Sequence, residues 1–377
     1  MKIKNLSLLY FRNYSSLYLD FHPSLNILVG DNSNGKTNII ESIFFMSLGK
    51  SFRTKRDFEC IKFGEEAACI SCVIEKEGQE KDMMLAMNNK GKNAKISGIR
   101  KNKLTDFVGE LNTVLFYPDD LQLVKGAPSI RRDFIDREFY QFSKIYYKYS
   151  IMYKHLLKQR NTFLKDMRKN RNDEMSKIYL ESLTLQLSKL ALYITTERYK
   201  FVENIAILAR NNMNIITDGL ENLNIIYKSS ILENLGLEYK DIFNIDEKIL
   251  CESIMKKVDE DINNGNTKVG IHHDDLLFTI NDLDAKQYAS QGQQRSIVLS
   301  LKLAEINFLK NQTGNYPILL LDDVLSELDK KRQKKLLESI DSKIQTFITT
   351  PSINDIKEDL LDNAKIFYIK DGKIENN

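Results

Sequence analysis

Gly30-Asp31-Asn32-Ser33-Asn34-Gly35-Lys36-Thr37 lies between an apolar run, Leu25 to Val29, and a stretch whose apolar residues recur at helical spacing, Ile39, Ile40, Ile43, Phe44 and Met46. A strand, a GxxxxGKT turn and a helix in that order make a P-loop. Backbone N–H groups curl around the β- and γ-phosphates, a helix N-terminus points at them, Lys36 lies over their charge, and the Thr37 hydroxyl is offered to Mg²⁺. Residues 30–37, with Asn38 at the first helical turn, are therefore the candidate contacts of a nucleotide, which we expect to be ATP with Mg²⁺.

Upstream, Ile3 to Leu9 and Leu17 to Phe21 read as two more short strands, so the phosphate site lies near the N-terminus. The chain has 377 residues, enough for two domains. Its 42% hydrophobic and 28% charged residues are those of a folded protein with a substantial core, which excludes a disordered chain. A net charge of +3 is too mild to mark a nucleic-acid binder, so any such surface must come from local clustering. No apolar run has membrane-spanning length and Met1-Lys2-Ile3-Lys4 does not open a signal peptide, so a cytoplasmic protein is expected. Of the four cysteines, Cys69 and Cys72 resemble half a metal site, but they fall in a strand pattern where residues three apart face opposite ways.

Downstream, Gly49-Lys50-Ser51-Phe52-Arg53-Thr54 is a polar loop whose Arg53 is either a phosphate or base contact or a solvated arginine. Cys69 to Ile74, Met83 to Met87 and Thr113 to Phe116 suggest an antiparallel β-lobe beside the P-loop lobe. Past Pro128 the pattern turns helical. Phe142, Ile145, Tyr149, Met152, Leu156, Phe163 and Met167 follow one helix; Asn170 to Asp173 interrupt it; Leu183, Leu187, Leu190 and Ile194 follow a second. Two antiparallel helices are implied, the first extending about 40–60 Å at about 1.5 Å per residue. From Arg131 to Asn172 there are twelve Lys or Arg against four Asp or Glu, a surplus of eight that suits DNA phosphates or, equally, a solvated helical face. His272 and His273 precede the strand Leu276 to Ile280; as neighbours on extended chain they would point opposite ways, which argues against a metal site.

Two further stretches complete the pattern. Ser290-Gln291-Gly292-Gln293 opens a helix 254 residues after Lys36, and such a turn is a phosphate-binding device in its own right. Pro317-Ile318-Leu319-Leu320-Leu321-Asp322-Asp323 reads as a buried strand ending in two carboxylates. Asp322 is the candidate Mg²⁺ ligand with Thr37, and Asp323 the candidate base toward the attacking water, with Lys36 as its catalytic partner over the phosphates. Ser326-Glu327-Leu328-Asp329 follows, and Thr346 to Thr350 is a further core strand ending in hydroxyls.

The P-loop, the Ser-x-Gly-Gln turn, the Leu-Leu-Asp-Asp strand and the Ser-Glu-Leu-Asp loop together resemble the SMC-like ABC-type ATPases of chromosome maintenance and repair, and within them the bacterial recombination mediators. Phe11-Arg12-Asn13-Tyr14, Tyr117-Pro118-Asp119-Asp120-Leu121, Gly126 to Ser129 with Arg131-Arg132, and Asp274-Asp275-Leu276 extend the resemblance over nearly the whole chain. Phe52 and His273 depart from it, standing where those proteins usually carry histidine and arginine. The resemblance implies an α/β fold: a discontinuous ABC-type head, residues 1–125 and 265–377 with an antiparallel β-lobe, and an inserted helical domain, 126–264, with a short antiparallel arm. It further implies a weak DNA-stimulated ATPase that forms an ATP-dependent homodimer. Its DNA would be single- or double-stranded, with gapped junctions, and RecR and RecO would be its partners in loading a recombinase, with no part for a membrane. A transport ATPase subunit is disfavoured by the long helical insertion, and a P-loop kinase by the Ser290 turn and Asp329. A non-enzymatic ATP-sensing scaffold, or another SMC-like chromosome-maintenance ATPase, stays open.

Overall fold

The computed structural model describes residues 1–377 apart from 32, 169–173, 340–342, 354–360, 362–363 and 376–377. The two N-terminal strands, β1 (Lys2–Phe11) and β2 (Tyr14–Asp20), form a hairpin, and β3 (Leu25–Val29) leaves it to enter a different sheet. β4 (Ala67–Lys76), β5 (Gln79–Asn88), β6 (Gly91–Ile96) and β7 (Ile99–Lys101) join the hairpin in a six-stranded antiparallel sheet, ordered β2-β1-β4-β5-β6-β7. Along β4 the residues Ala68, Ile70, Cys72 and Ile74 are buried and their neighbours are less so, the alternation of a strand with one covered face. Cys69 and Cys72 carry free thiols on it.

Thr113 to Phe116, expected in this lobe, belongs elsewhere. As β8 (Thr113–Phe116) it forms the outer strand of a second six-stranded sheet, pairing in parallel with β12 (Ile318–Asp322). All four of its residues are buried, and a strand covered on both faces belongs in a parallel layer between helices. A separate three-stranded sheet, β11-β10-β9, joins β9 (Leu223–Lys228), β10 (Asp275–Ile280) and β11 (Leu283–Asp284). The parallel sheet is completed by β13 (Thr346–Thr350), β14 (Ala364–Lys370) and the antiparallel edge β15 (Lys373–Glu375), in the order β15-β14-β3-β13-β12-β8. The helix Lys36–Leu48 lies between the two large sheets and buries residues on every face, which fixes the phosphate loop at the C-terminal edge of β3.

The helical region holds Pro128–Phe142, Lys144–Met167 and Glu174–Thr217. Contacts between the last two pair Tyr149 with Tyr193, Arg160 with Thr184 and Phe163 with Tyr179; one number falls as the other rises, so the helices are antiparallel. The break expected at Asn170 to Asp173 falls outside the described residues. The first arm helix is shorter than the sequence pattern suggests, 24 residues or about 36 Å. Ser143 interrupts the pattern with extended backbone and caps the new helix, its hydroxyl accepting from the Tyr146 amide at 3.2 Å.

Candidate nucleotide-binding site

The phosphate loop is held in shape by residues far from it in sequence. Gly35 has φ +108, and a Cβ there would lie 2.7 Å from both Asn13 Nδ2 and Tyr14 Oη, so only glycine fits. Tyr14 Oη donates to Gly35 O at 3.2 Å, and Asn38 Nδ2 donates to Asn13 Oδ1 at 2.7 Å. On the other side, Asn34 Nδ2 donates to Ile369 O of β14 at 3.1 Å, and a Cβ on Gly30 would run into that same carbonyl. The loop is thus pinned between the β1–β2 turn and β14. Asn32 lies outside the described residues.

Lys36 is 8% exposed and its Nζ donates to the carbonyls of Gly30 and Asp31, across the mouth of the loop. Burial lowers its pKa, opposed by Asp323, Asp322 and Asp31. Thr37 Oγ1 donates to Asp322 Oδ1 at 3.0 Å, and Thr349 Oγ1 donates to the same oxygen at 2.9 Å. Burial raises the Asp322 pKa, while those two hydroxyls favour its charged form. A hydroxyl and a carboxylate side by side are hard oxygen donors suited to Mg²⁺. Among the described residues no group of three or more His, Cys, Asp or Glu could hold a metal, so a cation here would take its remaining ligands from phosphate oxygens and water.

Asp323 follows in the left-handed region, φ 54, with its amide donating to Thr349 Oγ1 at 2.8 Å and Ser326 Oγ donating to its Oδ1 at 3.0 Å. The left-handed turn places adjacent carboxylates in different roles, Asp322 toward Thr37 and Asp323 into a cleft of about 350 Å³ lined also by Ser33, Gly35, Lys36, Thr37 and Thr349. Arg53 reaches this cleft, anchored by Asn38 Oδ1 at 2.9 Å and Glu41 at 3.5 Å. Sequence reasoning missed Glu41. Fully buried in the P-loop helix, its carboxylate holds Arg12 Nε at 2.8 Å and accepts from Ser51 Oγ. A lone acid inside an otherwise apolar helical stretch, with unassigned arginines on both sides, was the available signal.

The Ser290 turn does not line the cleft around Lys36. Ser290 is exposed and caps the helix Gln291–Thr313: its Oγ accepts from the Gln293 amide at 3.2 Å and its amide donates to Gln293 Oε1 at 2.8 Å. Gln291 is exposed and Gly292 partly so. Arg332, also unremarked in the sequence, donates to Gly292 O at 3.0 Å and Ser296 Oγ at 2.9 Å while pairing with Asp329, and so ties the loop after β12 to this turn.

Two sequence expectations change. His272 and His273 do not diverge: they sit in the 3-10 turn Ile271–His273, and both Nε2 atoms meet Thr267 O, at 3.0 and 3.1 Å. His272 Nδ1 also meets Tyr153 Oη at 2.7 Å, so this half-buried ring is held by structural partners. The basic arm spends much of its charge internally. Arg131 forks onto Asp275 at 2.6 and 2.9 Å, Arg160 pairs with Asp261 at 2.8 Å with both side chains buried, Lys154 pairs with Asp136 at 3.2 Å, and Arg168 donates to Ile262 O at 2.9 Å. Lys148, Lys158 and Lys165 remain exposed. Phe52 packs edge-on against Phe44 and Tyr117, at 5.4 and 5.1 Å between ring centres.

The family profile of the RecF/RecN/SMC N terminal domain matches residues 2–375. The DNA replication and repair protein RecF of Ligilactobacillus salivarius is 41% identical over 374 residues, 99% of this chain and 97% of that one. RecF of Streptococcus agalactiae serotype V is 43% identical over 377 residues, 100% of this chain and 98% of that one. Among solved structures, the recombination mediator protein RecF-ATP in the RecFOR pathway superposes with a TM-score of 0.89 at 30% identity, covering 99% of this chain and 97% of that one.

Proposed function

The chain belongs to the RecF family of DNA replication and repair proteins, with the ABC-type ATPase fold, and from that premise we propose that it is an ATP-operated dimeric clamp acting on gapped DNA in recombinational repair. The observation that carries the reading is the separation of its two phosphate devices. Lys36, Thr37, Asp322 and Asp323 converge, whereas Ser290 to Gln293 lie outside the cleft they form, with Ser290 and Gln291 exposed to solvent. A helix N-terminus that is capped, exposed and remote from its own P-loop suits the γ-phosphate held by a second copy.

In this reading the head is formed by residues 1–125 and 265–377, with 126–264 inserted, and residues 30–38 hold ATP together with Ser290, Gln291, Gly292 and Gln293 of the other copy. Lys36 leaves its carbonyl partners for the β/γ-phosphates. Thr37 and Asp322 hold Mg²⁺, which supplies charge neutralisation on the phosphates when bound. Asp323 takes the proton of the attacking water. An aspartate reaches one methylene less far than glutamate, and Ser326 shares its oxygen, so turnover is slow and DNA accelerates it by tightening the dimer. The same observation favours a second reading, in which ATP is bound as a dimer switch and scarcely hydrolysed. Single-turnover hydrolysis with and without DNA separates the two.

No helix among the described residues is long and apolar enough to cross a membrane, and work on DNA in the cytoplasm follows from the reading above. RecR and RecO are its proposed partners in loading the recombinase. The test is sedimentation with and without ATP, repeated with gapped duplex. A dimer that needs ATP, and a heavier species with gapped duplex, are expected; a monomer under every condition overturns the clamp.

A further inference from the structure

Beyond the nucleotide cleft, on the far side of Ser51 to Thr54, lies a cavity of about 560 Å³ between the end of the P-loop helix, the Tyr117–Asp120 segment and the helix Pro128–Phe142. Arg53 lines both spaces. The size is that of a small-molecule site. Its walls alternate between aromatic rings and charge, with four cations, Lys50, Arg53, Lys55 and Arg137, and four aspartates. Asp57 is taken by Lys92 at 2.5 Å, Asp120 by Lys302 at 3.3 Å and Arg53 by Glu41 at 3.5 Å, which leaves Asp119 and Asp133 as the lining's answer to Lys50, Lys55 and Arg137.

Arg137 is the decisive residue. Its side chain is 14% exposed, its guanidinium lies 5.8 and 5.9 Å from the ring centres of Phe44 and Phe134, and its ion-pair partner, Glu138, stands at 3.7 Å. That is beyond good hydrogen-bond distance. A guanidinium carries five N–H donors, and with no carboxylate nearer than Glu138 those of Arg137 are open to an anion entering the cavity. Lys50, whose ammonium lies 5.6 Å from the centre of the Tyr140 ring, has no carboxylate partner within ion-pair distance among the described residues, and burial lowers its pKa, with Asp133 opposing. Phe52, packed on Phe44 and against Tyr117, continues the lining as an aromatic surface.

We propose that this cavity is a second anion site that takes a nucleotide unit, its phosphate on Arg137 and Lys50 and its base against the Phe52–Tyr117 wall. The unit comes either from a free mononucleotide or from a DNA strand; the strand source rests on the DNA reading above, the mononucleotide source does not.

The experiment fills the P-loop with a non-hydrolysable ATP analogue and titrates the full chain with dAMP, with inorganic phosphate, and with a ten-residue oligothymidylate, by calorimetry. Saturable dAMP binding, at least tenfold tighter than phosphate, is expected. Arg137→Gln and Lys50→Gln should each weaken it about tenfold or more, the worth of one charge-assisted hydrogen bond. Asp133→Asn, at an exposed position, should tighten it. If Arg137→Gln fails to fold, Lys50→Gln and Asp133→Asn still test the site in opposite directions. Oligothymidylate that competes with dAMP assigns the strand as source; dAMP binding without that competition assigns the free nucleotide. Phosphate binding as tightly as dAMP overturns the nucleotide assignment. The site itself is overturned if neither dAMP nor the oligonucleotide binds saturably, or if binding is indifferent to Lys50 and Asp133.

Discussion

Thr37 Oγ1 and Asp322 Oδ1 meet at 3.0 Å across 285 residues of chain, and Thr349 closes on the same carboxylate oxygen from the next strand. That junction joins the P-loop helix to β12 and β13 in the middle of the parallel sheet.

Lys36→Met should abolish nucleotide-dependent behaviour. Its ammonium now satisfies two loop carbonyls, and methionine can serve neither those nor a phosphate. Losing a hydrogen bond to a charged group is worth about 1.5–3 kcal/mol, so ATP affinity should fall tenfold or more in an equilibrium titration. Unchanged affinity would remove the P-loop assignment.

Asp323→Asn should keep ATP bound and slow its hydrolysis by about 10²–10⁴-fold, the usual span for a general base, because Asp322 and Thr37 are untouched. The ATP-bound dimer should accumulate. Wild-type turnover in quench-flow would mean that another group positions the water.

Ser290→Arg should still bind ATP but not dimerise, since a bulky cation replaces the small exposed hydroxyl at the proposed trans contact. Mixed with Lys36→Met, it forms a heterodimer with one intact composite site and one doubly damaged site. Partial recovery of ATP-dependent pairing in the mixture alone is the expected sedimentation result. Normal dimerisation of Ser290→Arg would reduce the turn to a helix cap.

Neutralising Lys148, Lys158 and Lys165 to glutamine should weaken DNA binding and flatten the slope of log affinity against log salt by at most about 0.9 for each phosphate that is no longer neutralised. Lys154 is unsuitable for this test because its ammonium is paired with Asp136. An unchanged slope would place the DNA elsewhere.

His272 supplies a pH dependence of stability. Burial lowers its pKa to about 4, partly offset by the Thr267 carbonyl. The unfolded chain, with a histidine near pH 6.5, binds the proton first, so stability should decline as pH falls from about 6.5 toward 4. The full effect is about 3–4 kcal/mol. Chemical denaturation at successive pH values should show this decline in the wild type and a flatter profile for His272→Gln; identical profiles would show that the imidazole is not held neutral.

Arg131, Arg160 and Lys154 show where reading the chain reaches its limit. The surplus of basic residues in the arm is real, but a charge count has no partner in it, and Asp275, Asp261 and Asp136 reach these cations only after the helices and the three-stranded sheet have packed. The expectation for His272 and His273 fails for a different reason: the chain makes a 3-10 turn there in place of extended backbone, which brings neighbouring side chains to one side.

By itself the sequence determined the class of fold and pointed to the candidate nucleotide site, because GxxxxGKT, the Ser290 turn and the strand ending at Asp322 are local devices whose chemistry depends on short-range spacing. The antiparallel lobe and the paired arm helices were legible for the same reason, through periods of two and of 3.6 residues. Only the tertiary structure decided that β8 belongs to the parallel sheet, that Glu41 gathers Arg12, Arg53 and Ser51, that Asn34 is tied to β14, and that Arg332 holds Gly292. Each of these joins residues far apart in the chain. No local propensity encodes such a pairing, because burial and hydrogen-bond satisfaction become definite only when the layers close.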